Sequence, residues 1–136
     1  MDVAILMTSY NERERTLACL FDCFSQIDAM KADDSYSFNV YLLDDGSIDG
    51  TNEAVSNKFP QVNIIRTEGN LFWSQGMRHI WKIAADKHDY DFYIWIKNKV
   101  SLQEGAIAAM LENSNFLRHK AIVVGTSADK NGNIIY

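Results

Sequence analysis

Apolar runs without polar interruption recur along the chain, and each stops abruptly in polar residues. Val3-Ala4-Ile5-Leu6-Met7 ends at Thr8-Ser9-Tyr10-Asn11, Val40-Tyr41-Leu42-Leu43 ends at Asp44-Asp45-Gly46, and Phe92-Tyr93-Ile94-Trp95-Ile96 ends at Lys97-Asn98-Lys99. Such runs read as strands buried on both faces. Helical spacing follows them in turn, so the chain alternates strand and helix. This alternation predicts an α/β fold with a mostly parallel sheet flanked by helices on both faces. Ligands of such sheets collect outside the carboxyl ends of the strands, which makes the polar loops the expected place for binding or chemistry.

The remaining elements follow the same logic. Asn11 with Glu14 reads as a helix start, and Leu17, Leu20, Phe21, Phe24 and Ile27 recur at helical spacing. A short helix is predicted from about Thr51 to Lys58, a strand over Val62–Arg66 and a helix from Gln75 to His88, preceded by the aromatic loop Leu71-Phe72-Trp73. Ser101 and Glu104 form a capping-box pattern before a further helix, Ala121–Gly125 reads as a fifth strand, and Asn131-Gly132 signals a hairpin returning through Ile134-Ile135-Tyr136. No internal repeat interrupts this order, so residues 1–136 read as one domain. The chain stops straight after a strand, the mark of a truncated domain.

With 136 residues, 47% hydrophobic and 23% charged, the chain suits a globular domain with a real core. No apolar run is long enough to span a bilayer and the start lacks a basic signal region, which places the chain in the cytoplasm, with association to the cytoplasmic membrane face left to partners. The net charge of −5 and the absence of a basic stripe argue against nucleic acid. Cys19 and Cys23 lie four apart on a helix and are expected as reduced thiols, while His79, His88 and His119 are too dispersed for a ligand set or relay.

The loops suit a nucleotide: a ring surface in Tyr10, a carboxylate acceptor in Asp45 for a base N–H, and a cation in Lys99 for a diphosphate. No G-x-x-x-x-G-K-[ST] loop, no G-x-G-x-x-G after the first strand and no G-x-S-x-G elbow is present. P-loop, ordinary dinucleotide-binding and α/β-hydrolase chemistry are thereby disfavoured.

Taken in order, Met7-Thr8-Ser9-Tyr10-Asn11-Glu12, Leu43-Asp44-Asp45-Gly46-Ser47-Ile48-Asp49-Gly50-Thr51, Gly69-Asn70-Leu71-Phe72-Trp73-Ser74-Gln75-Gly76 and Tyr93-Ile94-Trp95-Ile96 resemble the family-2 glycosyltransferases across essentially the whole chain. The resemblance implies a Rossmann-like GT-A fold, a nucleoside diphosphate sugar as partner and inverting transfer to an acceptor. It implies that Thr8, Tyr10 and Glu12 border the nucleotide, that Asp45 recognises the base, that Asp44 supports the loop and that Asn70 shapes the adjoining wall. It also implies that the base for the acceptor hydroxyl, and most of the acceptor pocket, belong to a half this chain lacks.

One departure is as informative as the match. Family members resembling this chain carry acids at the end of the fourth strand, where they hold Mg²⁺ or Mn²⁺; here Lys97-Asn98-Lys99 stands instead. Asn98 offers a neutral oxygen and Lys99 none, so no metal ligand is assigned and a divalent cofactor is disfavoured. Two readings follow: Lys99 replaces the metal beside the diphosphate, although without an obvious carboxylate partner, or the chain is a catalytically inactive binding or scaffold module. In the first, Asn98 and Lys99 border the nucleotide sugar; in the second, the lysines are a charged surface turn. For Trp73 and Trp81, filling a core or interface is favoured over stacking on a ligand.

Overall fold

The structure, a computed structural model, describes residues Met1–Ile135. It comprises two compact units, Met1–Leu102 and the residues from Gln103 onward.

The first unit holds β1 (Asp2–Ser9), α1 (Arg13–Met30), β2 (Ser37–Asp44), α2 (Thr51–Lys58), β3 (Asn63–Arg66), α3 (Phe72–Lys87) and β4 (Phe92–Lys97). The four strands are all parallel, in the order β3-β2-β1-β4. Central β1 is buried from Val3 to Met7 with no exposed side chain, which is why it reads as an unbroken apolar run. The mostly parallel α/β fold is as expected.

Strand alternation sends side chains to two helical layers. Ala4 and Leu6 of β1, with Tyr41 and Leu43 of β2, form one core with Met77, Ile80 and Ala84 of α3 and with Tyr90. The Tyr41 and Tyr90 hydroxyls lie 2.8 Å apart, so these two buried groups satisfy each other. Val3, Ile5 and Met7 point the other way, where α1 buries Thr16, Cys19, Leu20, Cys23 and Ile27. Both cysteines are free, and the hydrogen bond with Cys19, followed by burial, pushes the Cys23 thiol far above its usual range.

The second unit contains α4 (Ala106–Phe116) and the antiparallel pair β5 (Ser127–Ala128) and β6 (Ile134–Ile135). The Asn131-Gly132 hairpin is present, and Asp129 acts as its turn residue by accepting from the Asn131 and Asn133 backbone N–H groups at 2.8 and 2.9 Å. Tyr136, expected in the returning strand, lies outside the described residues.

Several expected boundaries differ. Ala121–Gly125 is irregular rather than a strand, and Ile122 and Val124 are exposed. Ser101 and Glu104 form no capping box: α4 starts later, after Gly105, and the Ser101 hydroxyl and Leu102 N–H instead donate to Asp22 of α1. Asn11 and Glu14 do not cap α1 either. The Asn11 side chain leaves the helix to accept from Ile48 N–H at 2.8 Å. The aromatic loop is shorter than expected because α3 already begins at Phe72.

Candidate functional site

Parallel register brings the polar strand ends onto one edge. Ser9 is opposite Asp44, Asp44 is opposite Arg66, and Thr8 is opposite Lys97. The chain leaves β1 towards β2 and β3 on one side, and β4 then adds to the other side of β1. The direction of winding therefore reverses between β1 and β4, and the loops after these two strands flank the resulting crevice.

The loops after β1 and β2 are tied together. Asn11 N–H donates to Ser47 Oγ at 3.0 Å, and Arg13 N–H donates to Asp49 Oδ2 at 2.9 Å. Asp45, expected to meet a base, is only 5% exposed and already holds three protein donors. The Thr67 hydroxyl donates to Oδ1 at 2.8 Å, and the Leu71 and Phe72 N–H groups donate to Oδ2 at 3.0 and 3.1 Å. Asp45 thus caps the start of α3 from a distant loop. Asp44, expected to support the loop, does accept from Ser47 N–H at 2.9 Å, but its Oδ2 is buried and has no hydrogen-bond partner.

Across the crevice, the β4 end is anchored by buried polar contacts. Asn98, 8% exposed, donates through Nδ2 to Thr16 Oγ1 at 3.0 Å and, more weakly, to Ser9 Oγ at 3.5 Å. Its amide thereby positions the turn that carries Lys99. Lys99 does have a carboxylate partner, contrary to expectation: its Nζ lies 2.9 Å from Glu12 Oε1, bridging the loops after β4 and β1. Glu12 Oε2 also faces Arg15 Nη1 at 3.4 Å. Lys97 is turned to the opposite side, 5.1 Å from the Trp73 ring centre.

This donor set does not fit a divalent cation. Hard cations need several oxygen ligands, whereas here β4 ends in two ammonium groups flanking an amide whose nitrogen is turned to the hydroxyls. Among the described residues, no three His, Cys, Asp or Glu side chains converge as a metal site.

Of the other anticipated residues, Tyr10 is 59% exposed and available at the crevice mouth. Thr8 points towards α3, where its Cγ2 would lie 3.1 Å from a Cβ placed on Gly76. Asn70 is exposed in a left-handed conformation (φ 68°) immediately before the N–H pair that Asp45 holds. Trp73, Trp81, Trp95 and Tyr93 make a chain of edge-to-face contacts, with centroids 5.5 to 6.1 Å apart, but Trp73 and Trp81 pack on one another's neighbours at the surface, exposed rather than in the core. Ser9, Thr16, Ser47 and Arg15 were not anticipated; the alternation along β1 separates Ser9 from Thr8 and was the available signal for Ser9.

Asp49 links this edge to α2. Burial would raise its carboxyl, but hydrogen bonds from Thr51 and Arg13 outweigh that and hold it below the usual carboxylate range. A depressed carboxyl contributes stability above its ordinary value and loses it as pH falls through the folded value. Asp49→Asn is therefore expected to melt below the parent near neutrality, by an amount on the order of 1 kcal/mol typical of a helix cap. The gap should close on acidification below about pH 4, near the ordinary Asp value. A pH series of thermal melts checks this, and a gap that persists undiminished in acid would contradict it.

An open parallel sheet with acidic and cationic loops converging at its switch point defines a Rossmann-like α/β domain. The model of the Glycosyl transferase family 2 family matches residues 4–131, and the chain belongs to that family. Among solved structures, it is similar to the mannosyltransferase PcManGT from Pyrobaculum calidifontis in complex with GDP-Man and Mn²⁺, at 17% identity and TM-score 0.63, over 94% of this chain and 35% of that one. It is also similar to TarS 1–349 of S. aureus, at 14% identity and TM-score 0.65, over 96% of this chain and 40% of that one. A complex of TarS 1–349 with UDP matches at 18% identity and TM-score 0.63, over 85% of this chain and 33% of that one. These likenesses establish the GT-A type of fold, and the chain spans 40% or less of each of these relatives. No curated protein matches the sequence.

Proposed function

We propose that the chain is the nucleotide-sugar-binding part of a family-2 glycosyltransferase and holds a nucleoside diphosphate sugar in the crevice between β1 and β4. The observation that carries this is the convergence of the loops after β1, β2 and β4 on one sheet edge, at the switch point. The GDP-Man and UDP complexes of proteins with the same fold support the ligand class.

In this reading Tyr10 offers its exposed ring to the base. Asp44, wholly buried, supports the acidic loop by accepting from Ser47 N–H, while Asp45 and Asn70 shape the wall formed by the start of α3. Thr8 supports that wall from beneath, Asn98 fixes the β4 turn, and Glu12 and Lys99 face the diphosphate. In an inverting transfer the acceptor oxygen attacks the anomeric carbon as the bond from that carbon to the diphosphate breaks. The electron pair leaves on the diphosphate, and the acceptor proton passes to a carboxylate base. The residues described here serve the leaving-group side of that step.

Thermal melts with UDP, GDP and their sugar conjugates test the proposal. At about a hundred times its Kd, a ligand specific for the folded state adds about 2.7 kcal/mol, which should raise Tm by several degrees. No shift with any of these nucleotides at millimolar concentration would reject it.

A further inference from the structure

Lys99 and Glu12 meet at the part of the crevice that faces the diphosphate in the proposed function, on which the following inference rests. The pair spans the switch point at 2.9 Å. The Lys99 side chain is 58% exposed and that of Glu12 is 24% exposed, so solvent screens the contact and a more highly charged partner can displace it. Glu12 also faces Arg15 at 3.4 Å. If Lys99 leaves, Glu12 keeps a cation and no carboxylate is stranded in the crevice. Asn98, tied to Thr16 and Ser9, keeps the Lys99 backbone in place during the exchange.

We propose that Lys99 is a resident cation that takes the place of a divalent metal beside the nucleotide diphosphate, and that Glu12 is its built-in counter-ion, released to Arg15 when the diphosphate arrives. Before the nucleotide binds, Glu12 balances the charge of Lys99, and the ligand exchanges one anion for another at Lys99. Because Glu12 and the diphosphate compete for the same ammonium group, removing Glu12's charge should strengthen binding. Removing Lys99 should weaken it. A purely structural ion pair predicts no such opposition, since both variants would then lose the same contact.

Calorimetric titration of UDP and GDP into the full chain, in excess EDTA and again with MnCl₂, is the test. Binding of the preferred nucleotide is expected in EDTA and is not strengthened by Mn²⁺, because the protein donor set lacks metal ligands and Mn²⁺ held by the free diphosphate competes with Lys99 for it. Lys99→Ala should weaken binding about tenfold, the scale of losing one charge-assisted phosphate contact. Glu12→Gln should strengthen it a few-fold, the scale of one screened ion pair. Lys97→Ala, altering the lysine turned towards Trp73, should leave binding unchanged. The gain in Glu12→Gln cannot come from misfolding.

Nucleotide binding only with Mn²⁺ would overturn the inference while leaving the proposed function standing. So would metal-free binding unaffected by Lys99→Ala, or weakened by Glu12→Gln. Absence of nucleotide binding in both EDTA and MnCl₂ would remove the proposed function and this inference with it.

Discussion

Asp45→Ala is expected to lower the unfolding free energy by about 2–4 kcal/mol, because buried donors to a charged acceptor are left unmatched. The carboxylate is 5% exposed and joins three pieces of chain: its own β2 end, Thr67 after β3, and the first N–H groups of α3. No side chain at the Leu71 cap position bonds to the α3 start, so Asp45 supplies what a local capping residue would. Its charge also lies at the positive end of the helix dipole. The loss should reach the core, since α3 carries Met77, Ile80 and Ala84 against the sheet.

Asp45→Asn separates the components of this effect. One amide oxygen can keep part of the contacts, but the NH₂ group meets donors, so an intermediate loss is expected. Urea unfolding followed by far-UV circular dichroism gives the measurement. A loss below about 1 kcal/mol for Asp45→Ala would mean that water replaces the carboxylate at little cost, and the capping role would fall. Lost nucleotide binding in an Asp45 variant must be read beside its stability, because the same oxygens organise the α3 start.

Much of the fold was legible because parallel strands buried on both faces write themselves as unbroken apolar runs. Helix α2 was anticipated from Thr51 to Lys58, and β4 was extended by one residue, to Lys97. The readings that failed depended on local capping signals whose partners proved to be tertiary. Asn11 bonds to Ile48 rather than to its helix, and Ser101 and Leu102 bond to Asp22. Ala121–Gly125 has strand composition but forms no strand, since composition cannot supply a neighbouring strand.

The site divides along the same line. The strand ends named as candidates do meet at one sheet edge, but the contacts that distinguish the adjacent acids were not legible. Donors 22 to 27 residues downstream engage Asp45, and nothing within Asp44-Asp45 itself indicates which carboxylate they will reach. The Lys99–Glu12 pair was equally hidden, because it follows from β1 and β4 being neighbours in register.

Gly46→Ala tests the close approach that holds the acidic loop in place, with Gly50→Ala as its internal control. Both glycines have φ of +82°, so an added side chain meets the same left-handed backbone cost, about 1–2 kcal/mol. Their surroundings differ. At Gly46 a Cβ would lie 3.0 Å from the backbone C and O of Glu68, which cannot rotate away. At Gly50 its nearest neighbour would be Arg13 Nη1 at 3.6 Å, the end of a flexible side chain. Gly46→Ala should therefore cost about 3–4 kcal/mol, the sum of the backbone cost and an overpacking cost, whereas Gly50→Ala should cost about 1–2 kcal/mol. Moving the loop after β3 to accommodate the methyl group would also disturb the Thr67, Leu71 and Phe72 donors to Asp45. Gly46→Ala combined with Asp45→Ala should accordingly destabilise by less than the sum of the single losses. Equal losses at Gly46 and Gly50, or full additivity with Asp45→Ala, would show that the Glu68 contact does not hold the loop.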